Sequence, residues 1–224
     1  MDLGTGTGIL ARAFARQGAH VIGIDIAAEQ IAAAQQLAAQ EHLDIRFMTC
    51  AAEDAACPAQ SFDIISCGQS WLYFDQQRMI PLVKTWLKPG GKLVLTYLSW
   101  LPRKDPIAQA SEQLILRSNS HWSDADFPGS RTIQHAWSRQ DFRLVTYHAY
   151  EEGLPFTRES WRGRIRACRG IGAVLPADEV TRFDQEHDEL LRQIAPETFT
   201  ILHQVWLHAD TPFEDTDAVQ ASPS

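Results

Sequence analysis

The sequence has few cysteines and no long apolar run. Its four cysteines, at positions 50, 57, 67 and 168, form no Cys-x-x-Cys pair and no spacing with histidines typical of a zinc site. We therefore expect no metal, and thiols that stay reduced, as they do in the cytoplasm. The start carries no basic segment followed by an apolar one, and no apolar run approaches the ~18 to 20 residues that cross a bilayer. We predict neither a signal peptide nor a membrane partner.

Positive charge is scarcer than negative charge. The 224 residues include 20 Lys and Arg against 28 Asp and Glu, which gives a net charge of -8 at pH 7. Such a chain repels phosphate backbones, so nucleic acid is not an expected partner. The length suffices for one sizeable domain. We predict a single domain over residues 1–208 and an acidic, disordered tail over residues 209–224.

Short β-branched runs alternate with helical segments through the first half of the chain. The predicted strands there are residues 20–26, 44–48, 61–67 and 92–98, and the predicted helices are residues 9–17, 28–40 and 76–87. This alternation predicts an α/β fold with a mostly parallel sheet covered on both faces. In the second half we predict helices over residues 105–117, 159–168 and 177–194, and strands over residues 143–150 and 199–208.

A glycine-rich turn, Gly4-Thr5-Gly6-Thr7-Gly8, stands near the beginning. Glycines let the backbone turn tightly and let a ligand approach, and the helix that follows points free N–H groups at that ligand. Such a turn normally follows a strand of ~5 to 6 residues. Only Met1 to Leu3 precede it here. We therefore expect that part of the usual N-terminus is missing from this chain.

An acidic residue, Asp25, ends the second predicted strand, 21 residues after Gly4. A carboxylate about 20 residues after such a turn can accept hydrogen bonds from both ribose hydroxyls of a nucleoside. The alternative is a loop aspartate or a cap for the helix that begins at Ala28. A dinucleotide-binding turn would need Gly or Ala where Ile9 stands, so the turn favours S-adenosylmethionine, which has no pyrophosphate.

On the basis of these residues, the chain resembles the class I S-adenosylmethionine-dependent methyltransferases. The matching segments are Asp2–Gly8, Gly23–Ala27, Ala52–Asp54, Ser61–Cys67 and Leu87–Leu95. Their order and spacing are similar as well, and the run Trp71–Asp75 is similar to an aromatic segment of the small-molecule branch. The resemblance implies a doubly wound, Rossmann-like sheet whose last two strands pair antiparallel, with a helical cap over about residues 151–196.

The resemblance also implies S-adenosylmethionine as the cofactor and assigns residues to it. The methionine end would be lined by Asp2, Gly4, Thr5, Gly6 and Gly8. Asp25 would hold the ribose, with Ile26 beside the adenine. The adenine edge would meet Ala52 and Glu53, and the end of the fourth strand, Cys67 and Gly68, would lie beneath the cofactor.

The sequence indicates the site of the methyl acceptor less clearly than the site of the cofactor. Methyl transfer is a displacement at an already activated sulfonium, which needs alignment and exclusion of water more than a catalytic side chain. We therefore assign no catalytic residue, although a base would help a hydroxyl acceptor. The candidate bases are His121, His135 and His148, and the candidate walls of an acceptor pocket are Trp71, Tyr73, Trp100 and Trp161, with His121 beside them.

These residues predict methyl transfer from S-adenosylmethionine to a small-molecule acceptor. The segment Ser66–Gln69 is not the Asp/Asn-Pro-Pro-aromatic motif of enzymes that methylate nucleic-acid bases. One alternative is a truncated or vestigial protein that keeps the fold without activity. The other is a nicotinamide-dependent oxidoreductase, which Ile9 disfavours.

Overall fold

The computed structural model describes residues 1–129 and 138–213. The chain forms two compact units. Of the described residues, the first unit takes in 1–97, 138–148 and 206–213, and the second takes in 98–129 and 149–205. The second unit is thus larger than the predicted cap over residues 151–196, and the single domain stays a prediction. His135 and the tail beyond residue 213 lie outside the described residues.

The strands and helices alternate along the first unit, as the sequence predicts. Within the described residues, the strands are β1 (Asp2–Leu3), β2 (Val21–Asp25), β3 (Ile45–Thr49), β4 (Phe62–Gly68), β5 (Leu87–Trp100), β6 (Phe142–Thr157) and β7 (Thr198–Pro212). The helices are α1 (Ile9–Arg16), α2 (Ala28–Gln40), α3 (Gln76–Trp86), α4 (Pro106–Ser118), α5 (Ser138–Asp141), α6 (Arg158–Arg166) and α7 (Ala177–Ile194). Two single-turn 3₁₀ helices lie at Ala52–Asp54 and Trp71–Tyr73.

The sheet has seven strands in the order β3-β2-β1-β4-β5-β7-β6. β1 is parallel to both β2 and β4, and the pairs β2–β3 and β4–β5 are parallel too. β7 lies antiparallel between β5 and β6, so the predicted α/β sheet with its last two strands antiparallel is confirmed. The strand order reverses between β1 and β4, and ligands of open α/β sheets bind at the carboxyl ends of the strands at such a point.

Local side chains account for where several helices begin and end. Asp75 caps α3 by accepting hydrogen bonds from the backbone N–H groups of Gln77 and Arg78 at 3.0 and 3.3 Å. Asp105 caps α4 in the same way, by accepting from the N–H groups of Ile107 and Ala108. Gly18, with a φ of 85°, follows the end of α1 in a conformation that glycine adopts without a steric penalty. These caps explain why the helix ends fall within a few residues of their predicted positions.

The last three strands are longer than predicted. β7 continues to Pro212, so the assignment of residues 209–212 to a disordered tail was wrong. Polar groups of this stretch find partners within the first unit: the Thr211 hydroxyl donates to the Gly91 carbonyl at 3.0 Å, and His208 Nδ1 lies 2.5 Å from the buried carboxylate of Asp210. Pairing across the sheet stabilises an extended backbone there despite the polar sequence.

Each unit has an apolar core of its own. In the first unit, the indole of Trp206 stacks on the ring of Tyr97, with centroids 4.2 Å apart. The fully buried side chains around the centre of the sheet are Leu3, Ile24, Ile65 and Leu93. In the second unit, the core is built around Trp161, Ile165, Phe183, Leu191 and Ile201.

Candidate functional site

A cleft of about 420 Å³ lies in the first unit, where β1, β2, β3 and β4 end. We call it the carboxyl-edge cleft. Its position at the reversal of strand order is the one expected for a ligand site in this class of sheet. Its walls are Gly4, Ile24, Asp25, Ile26, Cys50, Ala51, Ala52, Glu53, Gly68, Gln69, Ser70, Tyr73 and Phe74.

The positions of Gly4 and Gly6 in the turn favour glycine for different reasons. All have positive φ, at 63°, 52° and 77° for Gly4, Gly6 and Gly8. A Cβ added to Gly4 would lie 2.4 Å from the Cβ of Ser70, so this glycine allows the turn and the end of β4 to approach closely. A Cβ on Gly6 would meet nothing nearer than 3.9 Å, so only its backbone conformation favours glycine.

The carboxylate of Asp25 is held by two backbone groups. Its Oδ2 accepts a hydrogen bond from the N–H of Gly6 at 2.8 Å, and its Oδ1 accepts one from the N–H of Ala27 at 2.9 Å. Ala27 is the residue that precedes α2, so the carboxylate does engage the start of that helix, as the alternative interpretation held. Each oxygen keeps a second lone pair, which leaves acceptor capacity for hydroxyl groups of a ligand in the cleft.

Glu53 also lines the cleft, in the 3₁₀ turn after β3. Its Oε1 accepts a hydrogen bond from the backbone N–H of Asp75 at 2.8 Å, which ties this turn to the beginning of α3. Arg78 adds a contact to the Asp54 carboxylate at 2.9 Å. These partners position the Ala52–Asp54 turn from outside the cleft.

The walls of the carboxyl-edge cleft carry two carboxylates, Asp25 and Glu53, and neither lysine nor arginine. The cleft therefore suits a ligand with hydroxyl donors or a positive charge, and it offers no cationic side chain to a pyrophosphate.

Asp2 was predicted to line the methionine end, but it lies beneath the turn, only 2% exposed. Its carboxylate accepts hydrogen bonds from the hydroxyls of Thr5 at 2.6 Å and Ser66 at 2.7 Å. Burial raises the pKa of Asp2, and the two hydroxyl contacts oppose that rise. Asp2 thus joins β1, the turn and β4 from below, and it is not a wall of the cleft.

Cys67 is also buried completely, and burial raises the pKa of its thiol well above the usual range. Like Thr5, Gly6 and Gly8, it is not among the walls of the cleft, so its predicted place beside the cofactor stays a prediction. The cleft brings together the other residues predicted for the cofactor, namely Gly4, Asp25, Ile26, Ala52, Glu53 and Gly68.

Of the predicted acceptor-pocket residues, Tyr73 alone is among the walls of this cleft. Trp71 is 2% exposed, packs in the core of the first unit and is not among the walls of this cleft, so its place in an acceptor pocket stays a prediction. A buried indole contributes more by packing than by lining an open surface.

Trp100, Trp161 and His121 belong to the second unit. The indole N–H of Trp161 donates to the Ser111 hydroxyl at 3.0 Å, and that of Trp100 donates to Glu112 at 2.6 Å. Both rings are core residues of that unit, with their polar groups satisfied inside it. His121 and His148 are exposed.

The cleft has walls that the sequence did not point out. Gln69, Ser70 and Phe74 line it next to Gly68 and Tyr73. Gln69 directly follows the last residue of β4, and that position was the available signal. Its φ of 60°, a left-handed conformation, is visible in the tertiary structure alone.

Comparison with known proteins agrees with this geometry. Residues 1–91 match the family described as a methyltransferase domain. A ubiquinone biosynthesis O-methyltransferase of Coxiella burnetii is 37% identical over 100 residues, which is 44% of this chain and 43% of that protein. The match thus spans less than half the length of that relative.

A second relative is matched over more of its length. The ubiquinone biosynthesis O-methyltransferase of Xanthomonas axonopodis pv. citri is 30% identical over 172 residues, 74% of this chain and 69% of that protein. Among solved structures, the YcgJ protein from Bacillus subtilis shares the fold, with a TM-score of 0.53 at 23% identity over 95% of this chain and 91% of that one. Among the described residues, no helix is both long and apolar enough to cross a membrane. The sheet order, the cleft and these relatives together show the family: the chain belongs to the class I S-adenosylmethionine-dependent methyltransferases.

Proposed function

We propose that this protein transfers the methyl group of S-adenosylmethionine to a small-molecule acceptor. The observation that carries the proposal is the Asp25 carboxylate, held by Gly6 and Ala27 at the wall of the carboxyl-edge cleft. In that position it can accept both hydroxyls of a ribose. Glu53, in the next turn, is the candidate partner of the adenine edge.

The charge of the cleft supports this ligand over a nicotinamide dinucleotide. S-adenosylmethionine carries a positively charged sulfur, which two carboxylates at the walls favour. A dinucleotide would place its pyrophosphate at the glycine turn, where Ile9 stands in place of the Gly or Ala of the dinucleotide-binding pattern. The oxidoreductase alternative therefore has no support from this cleft.

Methyl transfer from a sulfonium requires little chemical participation by the side chains. The sulfonium supplies an activated methyl group: a lone pair of the acceptor forms the new bond to carbon, and the carbon–sulfur bond breaks with its electrons going to sulfur. The proton of a hydroxyl acceptor passes to water or to a base. The residues of the cleft orient one reactant and exclude water.

An oxygen atom is the acceptor that we propose, because both relatives described above are named as O-methyltransferases. The net charge of -8 supports a small molecule over a nucleic acid. The four cysteines are free thiols, which supports a reducing location such as the cytoplasm.

Titration calorimetry with S-adenosylmethionine and S-adenosylhomocysteine tests the cofactor site. We expect micromolar binding by the full chain and a loss of at least about tenfold in affinity for Asp25→Ala. Asp44→Ala is the matched control, because it removes the same charge from an exposed position outside the carboxyl-edge cleft. A folded chain that binds neither compound would refute the proposal, and so would equal affinities for all three proteins.

Turnover separates an enzyme from a vestigial binding protein. We expect release of S-adenosylhomocysteine when small molecules with free hydroxyl groups are supplied with the cofactor, and no binding of NADH in a fluorescence titration. Binding of NADH in place of S-adenosylmethionine would support the oxidoreductase instead.

A further inference from the structure

Gln69 has a backbone conformation that side-chain-bearing residues rarely adopt. Its φ is 60°, in the left-handed region, where a Cβ is disfavoured. The other described non-glycine residues with positive φ are His42, Gln60 and Asp126. Of these four, Gln69 alone lines the carboxyl-edge cleft. Since glycine would adopt this conformation without strain, the presence of a long side chain calls for an explanation.

Contacts on both sides keep the strained peptide in place. The backbone N–H of Gln69 donates to the carbonyl of Thr96 on β5 at 2.9 Å. The hydroxyl of the next residue, Ser70, donates to the carbonyl of Leu3 on β1 at 2.6 Å. Strained conformations persist where the surrounding structure determines them in this way, and they concentrate at binding and catalytic sites.

The side chain of Gln69 brings a kind of polar group that the cleft otherwise lacks. It is the one side-chain amide among the walls, and it is exposed within the described structure. An amide both donates and accepts hydrogen bonds while staying neutral. The Ser70 hydroxyl beside it donates to Leu3, so it is not available as a donor. With no lysine or arginine at the walls, a carboxylate on a ligand would need a neutral side-chain donor. Gln69 and Tyr73 are the wall residues that can supply one, and Gln69 is the one that directly follows β4.

The order of the strands gives the ligand a direction. Across the sheet, the residues at the strand ends follow the order Glu53 after β3, Asp25 at β2, the glycine turn after β1, and Gln69 after β4. Neighbouring strands are about 4.8 Å apart, so three steps place the ends of β3 and β4 about 14 Å apart. With the ribose at Asp25 and the adenine toward Glu53, the remaining end of the ligand extends over β1 toward β4.

We propose that Gln69 binds the amino-acid end of S-adenosylmethionine through its side-chain amide, with Nε2 donating to the carboxylate or Oε1 accepting from the ammonium. This inference rests on the proposed function. The strained φ is the consequence of directing a long amide into the cleft from a turn that is tied to both β5 and β1.

The test compares ligands that share the nucleoside and differ in the amino-acid end. Calorimetry would measure S-adenosylhomocysteine and 5′-methylthioadenosine, which lacks the amino-acid group, with the wild-type chain, Gln69→Gly and Gln69→Asn. For Gln69→Gly we expect about tenfold weaker binding of S-adenosylhomocysteine and less than about twofold change for 5′-methylthioadenosine. Gln69→Asn keeps a shorter amide in a residue that tolerates positive φ, so its loss should be smaller.

Gln60→Gly is the matched control. Gln60 also has positive φ, at 50°, and it does not line the carboxyl-edge cleft. Both glycine variants should raise the thermal midpoint by relieving strain, but only Gln69→Gly should lose affinity for S-adenosylhomocysteine.

Equal affinity of the wild-type chain and Gln69→Gly for S-adenosylhomocysteine would overturn the inference, and so would equal losses for both ligands. If Gln69→Gly failed to fold, unchanged binding by Gln69→Asn and by Gln69→Ala would overturn it as well. A wild-type chain that binds neither ligand would instead refute the proposed function, so the two failures are distinguishable.

Discussion

The carboxylate of Asp25 accepts a hydrogen bond from the backbone N–H of Gly6, 19 residues earlier in the chain, at a distance of 2.8 Å. This contact joins the end of β2 to the glycine turn after β1. The residue proposed to hold the ribose therefore also holds the loop beside it, and its removal should affect both binding and stability.

The first prediction concerns the contribution of Asp25 to the stability of the fold. Asp25→Ala leaves the N–H groups of Gly6 and Ala27 without this acceptor, so the free energy of unfolding should fall by about 1 to 3 kcal/mol. Urea denaturation without ligand measures it, with Asp44→Ala expected to change the value by less than about 0.5 kcal/mol. If Asp25→Ala were as stable as the wild-type chain, the two hydrogen bonds would contribute nothing net.

The second prediction separates a steric clash from backbone strain. Gly4→Ala places a Cβ 2.4 Å from the Cβ of Ser70 and also imposes a positive φ on alanine. Gly18→Ala imposes the positive φ alone, because no atom lies within 4 Å of the added Cβ. We expect a loss of about 1 kcal/mol for Gly18→Ala and about 3 kcal/mol or more for Gly4→Ala.

Chemical denaturation of the two alanine variants compares these losses directly. Similar values for both would show that the approach between the turn and Ser70 is not tight.

The third prediction contrasts two aromatic side chains. Trp161 is completely buried, with its N–H bonded to Ser111, and Trp161→Ala should cost about 3 to 5 kcal/mol of stability. Tyr73 is 54% exposed at the cleft, and Tyr73→Ala should cost less than about 1 kcal/mol while weakening ligand binding. Thermal scans and calorimetry on both variants would reveal a reversed pattern if Trp161 were a binding residue.

The fourth prediction is a pH dependence in the second unit. Burial lowers the pKa of His187 from 6.5 to about 4, with Asp184 acting against the shift and Arg162 and Arg166 reinforcing it. Its Nε2 lies 3.0 Å from the Ser111 hydroxyl. The unfolded chain therefore binds a proton below pH 6.5 that the native chain does not bind until pH approaches 4.

The sign follows from this difference. The stability contributed by neutral His187 is fully present above pH 6.5 and is lost as pH falls toward 4, up to about 3 kcal/mol. His187→Gln should flatten the fall in unfolding free energy between pH 7 and pH 4.5, but burial also lowers the pKa of His203, so part of the slope should remain. His121→Gln, at an exposed position, should keep the full slope. A proton NMR titration that puts the His187 midpoint near 6.5 would contradict the prediction.

The fold was largely predictable because its signals are local. The glycine turn, the helix over Ala28–Gln40 and the β-branched run around Asp25 depend on neighbouring residues, and the structure has them close to the predicted positions. The length of β7 was not predictable in this way. Its last residues are polar. They are extended because β5 and another segment of the same chain supply hydrogen-bond partners for them.

The residues of the candidate site were likewise predictable only in part. Spacing pointed to Gly4 and Asp25, and the family resemblance pointed to Glu53; strand ends of a parallel sheet meet at one edge, and the structure has all three in the cleft there. Asp2 and Cys67 stand in the same motifs, but both are buried. Because successive residues of β1 and of the end of β4 are buried alike, the strand pattern could not show which of them face the cleft.

By itself, the sequence determined the α/β class, the family and the edge of the sheet where a ligand belongs, since these follow from local propensity and from motif spacing. Only the tertiary structure decided which of those motif residues face the cleft, which tryptophans are core, and that Gln69 enters the site in a strained conformation. Those properties depend on contacts between residues far apart in the chain, such as Ser70 with Leu3 and Gln69 with Thr96, and such contacts exist only after folding.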